Sequence, residues 1–310
     1  MVQVENLIYE YPGFRALKNI SFELEEGSVT ALVGPNGEGK TTLLRCLASL
    51  SEPFSGKITI HGVDIIENPQ ENHRQTGYLS DTFGLYEGLT VRQNLQFLGN
   101  AHKIGQVENR VGEVIRLLEL NDYADKDAKI LSRGWRQRLG VAMALMHEPR
   151  FLILDEPASG LDAEARIHLS QLIKNLNQSG ISLLVSSHIL AELEDYCTHL
   201  LVMQHGKIIE NKKLGLSKTG DLRKLLLKLS SSFEPVVEVL FHHPLISGLT
   251  GAGEEYRFNF SGNQEDQRNL LKEIVMRDIP VLSMEEEKTN LQDEYLKTVK
   301  GNKEDANSTI

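Results

Sequence analysis

Apolar positions along this chain fall into two textures. Residues 29–33 (VTALV), 151–154 (FLIL) and 181–186 (ISLLVS) are short, nearly continuous apolar runs, the pattern of strands buried on both faces. Between them, Val111, Val114, Ile115 and Leu118 recur at helical spacing and residues 161–176 carry a similar stripe, which predicts amphipathic helices. Near residues 200–210 the runs LLVM and IIE flank Gln204, His205, Gly206 and Lys207, a hairpin signal. Strands alternating with helices predict an α/β fold with a mainly parallel sheet covered by helices.

Beyond about residue 215 the texture changes. Leu222, Leu225, Leu226 and Leu229 have helical spacing, residues 236–241 and 256–260 read as strands, and residues 270–276 as another helix. That mixture suits a small α+β domain. The expected division is a principal domain over residues 1–214, a small α+β domain over 215–301 and a polar tail over 302–310.

Composition narrows the class. A length of 310 residues agrees with one principal domain and an appendage, and 40% hydrophobic with 25% charged residues is ordinary for a globular chain with a sizeable core. The balance of 33 Lys and Arg against 43 Asp and Glu leaves a net charge of −10, which disfavours a generic nucleic-acid binder; no nucleic-acid partner is expected. No run reaches the roughly 18 apolar residues of a membrane helix, and the N-terminus MVQVENLIYEYPG lacks the basic flank and apolar core of a signal peptide. A cytoplasmic location follows as the expectation. Cys46 and Cys197 lie in apolar sequence and read as small core residues of a reducing compartment rather than as a disulfide or ligand pair.

The chemistry begins at residues 34–42, GPNGEGKTT, which satisfy G-x-x-x-x-G-K-[ST] through Gly34, Gly39, Lys40 and Thr41 directly between a strand and a helix. Glycines let backbone N–H groups wrap phosphates, the helix presents its positive end, Lys40 reaches the β- and γ-phosphates and Thr41 ligates Mg²⁺. Glu38 is unusual there, since a carboxylate beside a phosphate cradle repels unless it turns to solvent or a partner. At residues 151–157, FLILDEP, a buried strand delivers Asp155 and Glu156 to the carboxyl end of the sheet, where open α/β folds bind ligands. Asp155 is placed to hold Mg²⁺ through water and Glu156 to act as general base on the attacking water.

These residues resemble the nucleotide-binding subunit of ABC transporters, over almost the whole of the first 210 or so residues and in the expected order. Residues 131–138, LSRGWRQR, resemble the signature LSGGQ with its QR tail; residues 159–162, SGLD, resemble the D-loop; His188 stands where the switch histidine belongs; and Tyr11 matches the aromatic that stacks on adenine. The resemblance implies a P-loop NTPase core with a helical subdomain at about 80–147 and antiparallel β elements. It also implies a head-to-tail homodimer, or paired cassettes, with two ATP molecules sandwiched between them. Each ATP would be held by Gly34, Asn36, Gly37, Gly39, Lys40, Thr41 and Thr42 of one copy and by Ser132 and Gly134 of the other. His188 would contact the γ-phosphate and the water, and Asp162 would link the two sites.

The departures bear on mechanism. Asp81 stands where the family usually has Gln and would act as a further Mg²⁺ ligand; Arg133 replaces a glycine and Trp135 a glutamine of the signature. Arg133 reads either as a solvated helix-start residue or as an extra phosphate or interface contact, and Trp135 either as subdomain packing or as an interface marker. One cassette and no membrane span imply a separate integral membrane permease, with the chain peripheral on the inner face of the cell membrane. Tyr86, Glu87 and Leu89 are candidate contacts to it. Residues 289–301, TNLQDEYLKTVKG, resemble the closing element of bacterial export cassettes that pair with a six-helix permease, with Leu291, Tyr295 and Leu296 on one helix face. The expected function is therefore an ATP-hydrolysing subunit that energises export; the alternatives are an ATP-switched regulatory protein with little turnover and a cytosolic ABC ATPase that serves no transporter.

Overall fold

The computed structural model describes residues 2–190, 193–214 and 223–286. Among the described residues, contacts divide the chain into one unit over 2–214 and a second over 223–286. The first unit runs β1 (Val2–Tyr11), β2 (Phe14–Leu24), β3 (Val29–Val33), α1 (Lys40–Leu47), β4 (Ser55–Ile60), β5 (Val63–Asp64), α2 (Pro69–Gln75), β6 (Thr76–Leu79), α3 (Val91–Ala101), α4 (Val107–Leu117), α5 (Arg133–Ala144), β7 (Phe151–Leu154), α6 (Ala163–Gln178), β8 (Ser182–Ser187), β9 (His199–Gln204) and β10 (Lys207–Lys213).

Its central sheet has the order β10-β9-β3-β8-β7-β6, parallel except for the β9–β10 hairpin. The continuous apolar runs are explained by a core on each face. Leu152 and Leu154 of β7 enter the core built with α3 to α6, whereas Phe151 and Ile153 enter the opposite core with α1 and the antiparallel sheet β2-β1-β4-β5. Strand β3 alternates the same way, Val29, Ala31 and Val33 against Leu32. Cys46 and Cys197 are buried free thiols, and burial pushes Cys46 up to about 12, so both are packing residues.

The second unit contains β11 (Arg223–Leu229), α7 (Pro235–His242), β12 (Ile246–Ala252), β13 (Glu255–Phe260), α8 (Gln264–Met276) and β14 (Val281–Glu286), with the antiparallel order β12-β13-β11-β14. Two expectations are corrected here. Leu225 to Leu229 form a strand, not a helix: Leu225, Leu227 and Leu229 are buried and Lys224 is exposed, a period of two that four leucines at helical spacing had masked. Residues 236–241 form a helix, not a strand. Pro235 starts it, and Val236, Val239 and Leu240 are its buried stripe while Val237 and Phe241 face outward. The helix expected at 289–301, with Leu291, Tyr295 and Leu296, and the tail 302–310 lie outside the described residues, as does Leu222. Among the described residues no helix is long and apolar enough to cross a membrane.

Candidate functional site

The carboxyl ends of β3 and β7 deliver the two halves of the site. Gly39, at the N-cap of α1, has φ +100, and a Cβ there would lie 2.9 Å from the Ala16 carbonyl oxygen, so both backbone and space require glycine. The turn brings Lys40 back over its own loop, with Nζ donating to the carbonyls of Gly34 at 2.8 Å and Pro35 at 3.2 Å. Nζ also lies 3.6 Å from Oε1 of Glu156. This ammonium is buried, with backbone carbonyls and one carboxylate around it. Glu38 has turned away from the cradle: its carboxylate accepts the backbone N–H of His205, in the β9–β10 turn, and lies 3.6 Å from that imidazole.

Asp155 is buried at the end of β7. Ser186, on β8, donates its hydroxyl to Oδ1 at 2.6 Å and accepts the N–H of Glu156 at 2.8 Å, so one hydroxyl fixes both acids. Ser186 was not anticipated; the signal was a polar residue inside an otherwise apolar buried strand. Burial raises the Asp155 pKa, opposed by the hydroxyls of Ser186 and Thr41 and reinforced by the negative charges of Asp81 and Glu156. Its Oδ2 is buried with no hydrogen-bond partner. An orphaned carboxylate oxygen beside Thr41 and Asp81 is a hard oxygen donor set that fits Mg²⁺. Among the described residues there is no group of three or more His, Cys, Asp or Glu that could hold a metal ion.

Glu156 has φ +47, a left-handed conformation rare outside glycine, of the kind that concentrates at functional sites. Its Oε2 lies 2.8 Å from Nδ1 of His188. Asn36, Gly37, Gly39, Lys40, Thr41, Thr42, Tyr11, Asp81, Glu156 and His188 line one cleft of about 580 Å³, together with Phe14, Ala16, Thr82 and Ser159. Tyr11 closes one end with its hydroxyl 3.3 Å from Oγ1 of Thr42.

Ser132, Gly134 and Asp162 are not brought to that cleft. They line a separate cavity of about 380 Å³ between the start of α5 and the start of α6. Ser132 is the N-cap of α5 without a capping hydrogen bond from its side chain, whereas Asp162 caps α6 by accepting the N–H of Ala165 at 2.8 Å. Trp135 packs on Tyr123, ring centres 4.5 Å apart, under the Arg138 guanidinium at 4.9 Å, and also lines this cavity. Of the proposed permease contacts, Glu87 pairs with Arg136 at 2.8 Å and Tyr86 is exposed against Phe97.

Residues 17–159 match the family described as ABC transporter. The ABC transporter ATP-binding protein YxlF of Bacillus subtilis is 31% identical, over 96% of this chain and 99% of its own. The bacitracin transport ATP-binding protein BcrA of Bacillus licheniformis is 31% identical over 97% of this chain and 98% of its own, and the linearmycin resistance ATP-binding protein LnrL of Bacillus subtilis is 29% identical over 96% and 97%. Among solved structures, a dimeric post-hydrolysis state of the ATP-binding cassette MJ0796 bound to ADP and Pi superposes with a TM-score of 0.63 at 25% identity, covering 69% of this chain and 99% of that one.

Proposed function

We propose that this chain, which belongs to the ABC transporter ATP-binding proteins, hydrolyses ATP as a paired cassette to drive a separate membrane permease in export. The observation that carries the ATPase is the contact of one carboxylate, Glu156, with both Lys40 at 3.6 Å and His188 at 2.8 Å in the mouth of the phosphate cleft. In that arrangement the triphosphate binds over the N-terminus of α1, where the helix end and Lys40 neutralise its charge. Lys40 exchanges its loop carbonyls for phosphate oxygens, and Glu156, released from the lysine, holds the attacking water while His188 orients it. Mg²⁺, when held by Thr41, Asp155 and Asp81, would supply charge neutralisation between the phosphates. Tyr11 offers an exposed ring for the adenine.

Completion of the site requires a second cassette, because Ser132 and Gly134 line a different cavity from Lys40 within one chain. The start of α5 would then aim its positive end at the other copy's γ-phosphate, so that ATP joins the two copies and hydrolysis loosens them. Export and a permease partner are supported by BcrA and LnrL, relatives named for bacitracin transport and linearmycin resistance, which match along nearly all of this chain rather than the cassette alone. Such a subunit works at the cytoplasmic face of the membrane. The test is purification from native membranes. An integral membrane protein should accompany the chain and stimulate its ATP turnover, and Glu156→Gln should abolish that turnover; equal rates for the two forms would refute the assignment.

A further inference from the structure

Arg133 stands in the first turn of α5, between Ser132 and Gly134, and donates from Nη1 to the carbonyl oxygen of Gly160 at 3.0 Å. Gly160 has φ +70, a left-handed turn that favours glycine, and a Cβ there would lie 2.6 Å from Nη1 and displace the guanidinium. Both ends of this bond line the same cavity, and Gly160 adjoins in sequence a residue of the phosphate cleft. Arg133 and Gly160 share the cavity of Ser132 and Gly134, and Gly160 follows Ser159, which lines the phosphate cleft and donates its N–H to the Glu156 backbone carbonyl at 3.0 Å. A short covalent and hydrogen-bonded path thus connects the start of α5 with the backbone of Glu156 at the chain's own cleft.

Charge makes the bond a poised one. Helix α5 has no acidic residue in its first turn, and among the described residues no carboxylate pairs with Arg133. A cation therefore sits at the positive end of a helix, held by a neutral carbonyl, with most of its five N–H donors uncommitted. A phosphate oxygen accepts charge-assisted, bidentate bonds from guanidinium that are roughly twice as strong as bonds between neutral groups. An ATP presented to Ser132 and Gly134 would compete with Gly160 for the same side chain.

We propose that Arg133 is a positioning residue that passes from the Gly160 carbonyl to the γ-phosphate of ATP bound by a second copy of this chain, so that filling one site resets the loop carrying Glu156 in the other. The inference rests on the ATP-sandwich reading given above. Its test is the ATP dependence of self-association for full-length Glu156→Gln, followed by sedimentation, and the ATP dependence of hydrolysis for the parent, each with and without Arg133→Gly. The expected result is cooperative association of Glu156→Gln, a half-saturating ATP concentration raised about fivefold or more by Arg133→Gly, and a Hill coefficient falling toward 1 with KM changing more than kcat. Arg133→Lys, which keeps the charge without the fork, should recover part of the affinity. If Glu156→Gln associates and Arg133→Gly leaves the Hill coefficient and half-saturation unchanged, the role of Arg133 is overturned while the sandwich stands. If Glu156→Gln stays monomeric at saturating ATP, the sandwich itself is wrong and this inference falls with it.

Discussion

Oε2 of Glu156 lies 2.8 Å from Nδ1 of His188. The other carboxylate oxygen lies 3.6 Å from Lys40, so the acid is held from both sides, on a residue whose backbone is left-handed. Glu156→Gln keeps the shape and removes the charge, and steady-state phosphate release should fall by about 100-fold or more, the range of a general base. His188→Ala leaves the carboxylate anchored only by Lys40 and should lower kcat by about 10- to 100-fold with a smaller change in KM. A rate for either variant within a few-fold of the parent would remove these two residues from the chemistry.

Trp135 is the single tryptophan of the chain and lines the cavity of Ser132 and Asp162 while resting on Tyr123. It packs on the helical subdomain and also borders this open cavity, so its emission is a clean reporter of a second copy docking there. In Glu156→Gln, ATP should shift Trp135 fluorescence to the blue and protect it from iodide, because a docked second copy excludes water; ADP should do neither. Indifference of the emission to ATP would mean that this face stays open.

Much of the first unit was legible because its chemistry is local. The phosphate loop, the acids after FLIL and the buried parallel strands each occupy a few consecutive residues whose spacing carries the physics. What escaped notice depends on neighbours distant in sequence. Ser186 matters only because β8 lies beside β7, and the Glu38 carboxylate is accommodated only because the β9–β10 turn presents a backbone N–H. In the second unit, local pattern misled. Leucines at 225, 226 and 229 fit a helix as well as Leu225, Leu227 and Leu229 fit a strand, and pairing with β13 and β14 decides between them. Residues 236–241 read as a strand, yet the buried stripe of Val236, Val239 and Leu240 is helical and the helix starts at Pro235.

Asn94 is fully buried on α3 and pins the preceding loop, accepting the N–H of Tyr86 at 2.9 Å and donating to the carbonyls of Tyr86, Leu89 and Thr90 at 3.1, 3.3 and 2.9 Å. Asn94→Ala strands those groups. Stability to urea should drop by about 1–3 kcal/mol, the cost of leaving buried polar groups unpaired. Because Tyr86, Glu87 and Leu89 are the proposed permease contacts, the same variant should couple poorly to the membrane subunit while the isolated chain still binds ATP. A loss below about 0.5 kcal/mol would show that water replaces the side chain.

His147 makes stability sensitive to acid. Its Nε2 lies 3.1 Å from the Thr76 carbonyl oxygen, which accepts and so places the proton on Nε2; Nδ1 is buried without a partner, and the His102 ring stacks on the imidazole at 4.6 Å. Burial pushes the group down to about 4; the Thr76 carbonyl opposes that, and His102, Arg110 and His73 add to it when charged. An unfolded histidine titrates near 6.5, so between about 6.5 and 4 the unfolded chain binds a proton that the folded chain refuses. The contribution is fully present above pH 6.5 and is lost as pH falls through that window, amounting to about 2–3 kcal/mol by pH 4. His147→Phe fills the same space without titrating. Its urea stability, lower at neutral pH through the lost bond to Thr76, should decline less steeply on acidification than that of the parent, and curves that stay parallel from pH 7 to pH 4 would rule out His147 as the source of the acid lability.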